Sequence, residues 1–292
     1  MECRKESDAV AKNNQKGWHL METILVNQDL CSRCGICSIV CPMAIVDPAD
    51  EKTLPKVVDE KVGMCIQCGH CEVSCPSQAL LLNVRPDEKV PLLDGDGTIS
   101  PAEIAFYLKK RRSVRHFTKE SVPTDKILKI LEIAQYAASG GNGQPVQWLV
   151  IHDPMEVRKI AGLTIEWMKS LLNTAHPMSS YVPMFISAYE HGHDVICRGA
   201  PHLLFAHIPE GNPIASVDAI VALTHVDVAA PAFGIGTCWA GFVAGAAMSY
   251  EPLQNELDIP MGRKCAYAMM FGYPKYKVYG IPRRNPVEVT WR

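Results

Sequence analysis

The sequence predicts a two-part chain that mixes helices and strands: a short cysteine-rich domain, then a larger domain with one sizeable core. Three observations predict it. Cys31, Cys34, Cys37 and Cys41-Pro42 recur as Cys65, Cys68, Cys71 and Cys75-Pro76, displaced by 34 positions (65 minus 31). Residues 86–100 gather Pro86, Pro91, Asp94, Gly95, Asp96 and Gly97, the composition of a linker. Beyond position 100, 192 residues remain (292 minus 100), enough for one domain with its own core, and they alternate between helical and strand periodicity.

Composition narrows the function. A formal net charge of −2 and 48% hydrophobic residues are ordinary for a globular protein and give no footprint for nucleic acid. The most apolar stretch, Val226–Met248, is interrupted by Asp227, Pro231 and several glycines, so no membrane span is expected. Without a signal peptide the chain reads as cytoplasmic, which disfavours disulfides.

The repeated C-x2-C-x2-C-x3-C-P run is the pattern of a protein with two [4Fe–4S] clusters. Three closely spaced thiolates wrap three corners of a cube, and the chain must detour to reach the fourth. Each fourth Cys crosses to the other cluster. Cys31, Cys34, Cys37 and Cys75 are therefore expected on one cluster, and Cys65, Cys68, Cys71 and Cys41 on the second. Zinc ribbons use C-x2-C pairs without this repeated run. The segment resembles bacterial-type two-cluster ferredoxins over roughly residues 22–85. The expected domains are a disordered leader over 1–20, a ferredoxin domain over 21–85, the linker over 86–100 and a second domain over 101–292.

In the second domain, Ser100-Pro101-Ala102-Glu103 is a capping box with Pro at the first helical position, opening a helix to about Arg112. A second helix is expected from Thr124 to about Ala138, with Ile127, Ile130, Leu131, Ala134 and Ala138 on one face. Val146–His152 reads as a strand, Glu156–Asn173 as a helix, and His202–Ile208 as a buried strand. Ile214–Phe233 is a long Ala- and Val-rich helix, expected to be central and buried, and Cys265–Gly272 is another strand. Val287–Trp291 alternates like a strand without a local partner, so it should pair elsewhere in the sheet or with another subunit. Asp94-Gly95-Asp96-Gly97 lacks the first ligand of a calcium loop, and His191-Gly192-His193 lacks a third metal ligand.

Four stretches carry chemistry. Lys110-Arg111-Arg112-Ser113-Val114-Arg115-His116-Phe117 gathers phosphate-binding residue types at a helix end. Ser139-Gly140-Gly141-Asn142-Gly143-Gln144-Pro145 offers backbone and amide groups to a planar, polar-edged cofactor. Gly234-Ile235-Gly236-Thr237-Cys238-Trp239-Ala240-Gly241-Phe242 follows the buried helix, and the chain ends Pro282-Arg283-Arg284-Asn285-Pro286 and onward to Trp291. In this order they resemble the nitroreductase family of FMN-dependent flavoproteins, over roughly residues 101–292. The resemblance implies an α+β sandwich with a mixed central sheet, and an intertwined homodimer whose FMN sites draw on both subunits. It implies that Arg111, Arg112, Ser113, Arg115, Arg284 and Arg283 bind the FMN phosphate, and that Ser139, Gly140, Asn142 and Gln144 serve the ring and ribityl chain. Backbone amides near Ala240 and Gly241 should face flavin N5. Relatives cover the flavin with the region equivalent to Glu166–Arg198, which makes Tyr181, His193 and Arg198 candidate substrate contacts. Two departures bear on substrate choice: Val146 and Gln147 separate the Gln-Pro from Trp148, and Ala240 stands where many relatives carry an acidic residue.

Iron–sulfur clusters pass single electrons, whereas flavin holds one or two. The expected enzyme is therefore an oxidoreductase that feeds FMN through the two [4Fe–4S] clusters and reduces a small nitro, quinone or activated-alkene substrate. The alternatives are an NAD(P)H- or substrate-oxidising flavoprotein passing electrons out to a ferredoxin-type partner, and a non-catalytic redox sensor or carrier.

Overall fold

The computed structural model describes residues 18–20, 24–50, 52–82 and 97–292. It divides into two compact units, 1–97 and 98–292. The leader up to residue 17 and most of the linker lie outside the described residues.

The first unit carries its repeat in the backbone. Strands β1 (Trp18–Leu20), β2 (Ile24–Asn27) and β5 (Leu80–Leu82) form an antiparallel sheet in the order β1-β2-β5. β3 (Val46–Asp47) pairs with β4 (Lys56–Val57). Within the expected leader, Trp18–Leu20 pair with β2 as an edge strand. Helices α1 (Ile36–Ile39) and α2 (His70–Val73) follow Gly35 and Gly69, both left-handed, at φ 73° and 77°. Arg33 and Gln67, and Ala44 and Gln78, are also left-handed, so three pairs 34 residues apart share one backbone turn. A small core of Ile24, Val26, Ile45, Val46, Val57, Leu80 and Leu82 backs the cysteines.

The second unit is a helix–sheet–helix sandwich. Strands β6 (Gln147–Ile151), β7 (His202–Pro209), β8 (Gly236–Trp239) and β9 (Arg263–Gly272) lie in the order β6-β7-β9-β8. Every pairing is antiparallel, where the family resemblance implied a mixed sheet. The side-chain period of two splits β7 between two cores. Leu203 and Phe205 face α5 (Pro154–Ser170), α6 (Val182–Glu190), α8 (Gly241–Ser249) and α9 (Glu251–Leu257). Leu204, Ala206 and Ile208 face α4 (Thr124–Ala134) and α7 (Ala215–Ala229). α3 (Pro101–Lys110) opens the unit on its capping box, with Ser100 Oγ accepting from Glu103 N–H and the Glu103 carboxylate from Ser100 N–H.

Three expectations are corrected. α4 stops at Ala134, so Ala138 is exposed beyond it. α7, with the 3-10 turn Ala230–Phe233, is long and apolar enough by composition to cross a membrane, yet only one side of it is buried. It packs one face on the sheet, carries buried Asp218 and Asp227, and leaves Ile214, Val217 and Ile220 exposed. Val287–Trp291 forms no strand, because a strand's backbone groups need a neighbour and this chain offers none there.

Candidate functional site

The first unit contains two cavities of similar size, about 360 and about 390 Å³ of empty space. Cys31, Cys34, Cys37 and Cys75 line one; Cys41, Cys65, Cys68 and Cys71 line the other. Each fourth cysteine has crossed to its counterpart's cavity. Ala79 N–H donates to Cys75 Sγ at 3.3 Å, and Ser77 Oγ lies 3.6 Å from the same sulfur. Burial, and then Cys65, Cys68 and Cys41, push the Cys71 thiol up to about 12. Burial, with Cys31 and Cys34, likewise raises Cys37. Four crowded thiolates are unfavourable without a cation among them, which is what a cluster supplies. Among the described residues, no group of three or more His, Cys, Asp or Glu side chains suits a single metal ion. A [4Fe–4S] cluster is a larger group than a single ion and is reached by four thiolates from four sides.

The second unit builds a basic site around β8. Val114 N–H donates to Thr237 O at 2.8 Å, laying the Arg111–Arg115 segment beside the strand. Arg284 and Arg111 both lie close enough to Arg112 for their charges, after burial, to lower its pKa. Burial raises the Cys238 thiol, against the charges of Arg115 and Arg198 and the Ser113 hydroxyl, which act on it in the opposite direction. Of the six expected phosphate residues, the five other than Arg283 thus interact with one another or with residues of β8. Arg283 lies exposed on the tail.

The residue that sequence reasoning missed is Asp227. Its carboxylate is buried and accepts from Arg111 Nη1 at 3.0 Å, from Trp239 Nε1 at 3.4 Å and from the Thr237 hydroxyl. An acidic residue inside an apolar helix must find partners, so Asp227 itself was the signal. One part of the Arg111 guanidinium is therefore held by α7, leaving its remaining donors for an anion.

The amide loop is anchored separately. Gly140 N–H donates to Asp218 at 3.0 Å, Gln144 N–H to Ser139 Oγ at 3.0 Å and Gln144 Nε2 to Asn142 Oδ1 at 3.3 Å. Gly141, Asn142 and Gln144 are all left-handed, a strained turn that presents polar groups outward. Asp218 and Asp227 are nine residues apart on α7, about 14 Å along its axis. The loop and the arginines are thus tied to opposite ends of one helix. A correction applies at Ala240: its N–H donates to Ala268 O at 2.9 Å and is not available to flavin N5. Gly241, at the first position of α8, keeps an amide that no helical carbonyl can accept.

Of the candidate substrate contacts, Arg198 joins the Cys238 group through a left-handed turn at φ 57°. Asp194 braces that turn by accepting from the N–H groups of Ile196, Cys197 and Gly199. Tyr181 caps α6 and is 62% exposed, and His193 is exposed on the loop after it. Among the described residues, no hydrogen bond or ion pair joins these two to the arginines.

An arginine-rich strand edge, an amide loop and two tetracysteine cavities define an iron–sulfur oxidoreductase. The chain belongs to the nitroreductase family, whose model matches residues 108–273, and residues 30–80 match a 4Fe-4S dicluster domain. It is 26% identical over 194 residues to an FMN reductase [NAD(P)H] of Bacillus subtilis, covering 62% of this chain and 70% of that protein. It is 26% identical over 148 residues to an iodotyrosine deiodinase of Haliscomenobacter hydrossis, covering 42% and 67%. Among solved structures, it shares the fold of a nitroreductase with bound FMN from Desulfitobacterium hafniense, at a TM-score of 0.51 and 20% identity, covering 64% of this chain and 97% of that one. A BluB-like flavoprotein from Clostridium difficile is similar at a TM-score of 0.51 and 20% identity, covering 63% and 95%.

Proposed function

We propose that this protein is a cytoplasmic, homodimeric FMN-dependent reductase in which two [4Fe–4S] clusters deliver electrons for the reduction of a small nitro, quinone or activated-alkene substrate. The observation that carries the reading is the joining, in one chain, of two complete tetracysteine sets to a cluster of arginines, Arg111, Arg112 and Arg284. Bound at these sites, the clusters supply single electrons and the flavin pairs them for a two-electron reduction. Arg111, Arg112 and Arg284 hold the phosphate, with Asp227 fixing Arg111 from behind. Ser139, Gly140, Asn142, Gln144 and the Gly241 amide serve the rest of the flavin. Arg198 faces the substrate beside Ser113 and Arg115.

The dimer is supported by apolar surface that a second copy would cover. No residue of α3 is buried in one chain, and Ile104, Phe106 and Leu108 are exposed there, as are Ile214, Val217 and Ile220 around α7. The separation of the amide loop from the arginines also favours a flavin site completed by two chains.

Anaerobic stopped-flow absorbance of the full-length protein tests the direction of flow. A reduced ferredoxin-type donor should bleach the clusters first and the flavin second, and substrate should then reoxidise both. The similarity to an FMN reductase [NAD(P)H] favours one alternative, in which NAD(P)H reduces the flavin first and the clusters follow. That order would overturn the inward reading. Reduction without reoxidation by any of the three substrate classes would favour a sensor or carrier.

A further inference from the structure

The two cluster sites share a backbone but not their surroundings. Shifting the first site by 34 positions exchanges Ser32 for Ile66, Arg33 for Gln67 and Ser38 for Glu72. The fourth-cysteine loops differ in the same way: Ser77 follows Cys75, and its counterpart after Cys41 is Met43. Cross-ligation then sorts these differences. Ser32, Arg33 and Ser77 all line the cavity of Cys31, Cys34, Cys37 and Cys75, while Ile66 and Met43 line the other. Both hydroxyls therefore fall at one site, although one comes from each half of the repeat.

Their contacts have a direction. Ser32 lines the cavity two residues before Cys34, and Ser77 Oγ stands 3.6 Å from Cys75 Sγ. A thiolate ligand has no proton, so in the loaded site each hydroxyl is the donor. Cys34 is also the one exposed cysteine of the eight. At the other site Glu72 adds a carboxylate, held by Leu82 N–H at 2.9 Å, and Leu82 lines that cavity. Reduction adds one negative charge to a cluster. Hydrogen bonds to sulfur, water and a nearby cation favour that charge, whereas apolar walls and a carboxylate oppose it. His70, which replaces Ile36, and the Gln67 amide, which replaces Arg33, also line the second cavity and act in the opposite sense.

We propose that the two clusters differ in reduction potential. The cluster on Cys31, Cys34, Cys37 and Cys75 accepts the first electron, and Ser32 and Ser77 set the difference. This rests on the cluster assignment of the proposed function. A low-potential one-electron donor such as dithionite supplies each electron, and each cluster takes up one. The protein then stores two electrons of unequal energy.

The test is an anaerobic redox titration of the full-length, cluster-loaded protein followed by electron paramagnetic resonance. Two one-electron steps should appear, separated by at least a tenfold difference in equilibrium constant, about 59 mV. Ser32→Ala and Ser77→Ala should move the upper step to more negative potential and leave the lower one in place. Ile66→Ser and Met43→Ser should raise the lower step and close the gap, a gain that misfolding cannot imitate. Iron analysis precedes the titration. Four iron per chain would overturn the cluster assignment and this inference with it. Eight iron with coincident steps, or serine variants that move the lower step, would overturn this inference alone.

Discussion

Arg284 tests the phosphate site more cleanly than Arg111. Arg111 also neutralises Asp227, and its removal strands a buried carboxylate with only Thr237 and Trp239, so Arg111→Ala loses stability as well as flavin contact. Arg284 lies on the exposed tail. Arg284→Ala should therefore weaken FMN binding by about 1.5–3 kcal/mol, the worth of a hydrogen bond to a charged group, with iron content unchanged. Flavin retained after dialysis, measured beside iron, checks this; equal retention in variant and parent contradicts the phosphate role. His202 carries the pH dependence. It is wholly buried, its Nε2 accepts from Val122 N–H at 2.9 Å, and its Nδ1 donates to His152 O at 2.9 Å. The His152 ring stacks on it at 4.3 Å. Burial first, and then His152, lower its pKa to about 4 from 6.5. The unfolded chain then binds the extra proton in that window. Stability is full above pH 6.5 and falls as pH drops toward about 4, by about 3 kcal/mol in all. Urea midpoints across this range should slope less in His202→Asn than in the parent; parallel slopes would remove His202 as the cause.

At the scale of elements, β8 and the arginine segment fit together because Gly236 has no side chain. A Cβ there would collide with Val114 Cγ2 and lie 2.8 Å from Val114 Cβ and 2.9 Å from Pro274 Cγ. Gly236→Ala should cost about 1–3 kcal/mol through overpacking and displace the phosphate arginines. Gly280→Ala meets nothing within 4 Å and should leave stability within about 0.5 kcal/mol of the parent. Thermal unfolding of the pair checks this, and equal melting temperatures would refute the close packing. Much of the element pattern was legible in the sequence. The capping box placed the start of α3, and β7 was read as a buried strand. α6, β8, α8 and α9 were not recognised. α8 is apolar nearly all round, so it offers no periodic face, and the four residues of β8 are too few to show alternation.

For the whole molecule, the exposed tail predicts the assembly. Val287 and Trp291 are each 88% exposed, and Tyr279 is 93% exposed. Large apolar side chains at that exposure mark an interaction surface when they occur together. A chain truncated after Asn285 keeps Arg284 but loses the last seven residues (292 minus 285). It should shift from dimer toward monomer in light-scattering chromatography, keep its iron and lose flavin. A truncated dimer with full flavin would place the interface elsewhere.

What the sequence determined by itself was chemistry encoded locally. Cysteine spacing fixes how thiolates can wrap a cluster, because the ligands are joined by a few bonds of one loop. A basic run at a helix end carries its charge wherever the chain goes. Tertiary structure alone decided the rest. Asp227 meets Arg111 across 116 positions, and no local pattern reports a pairing that far apart. The Ala240 amide was spent on Ala268 because β8 and β9 pair, and β9 lies beyond two intervening helices. Ser32 and Ser77 came to one cavity because the fourth cysteine of each run crosses to the other. In each case the deciding partner is distant in sequence, and only the folded core brings it within reach.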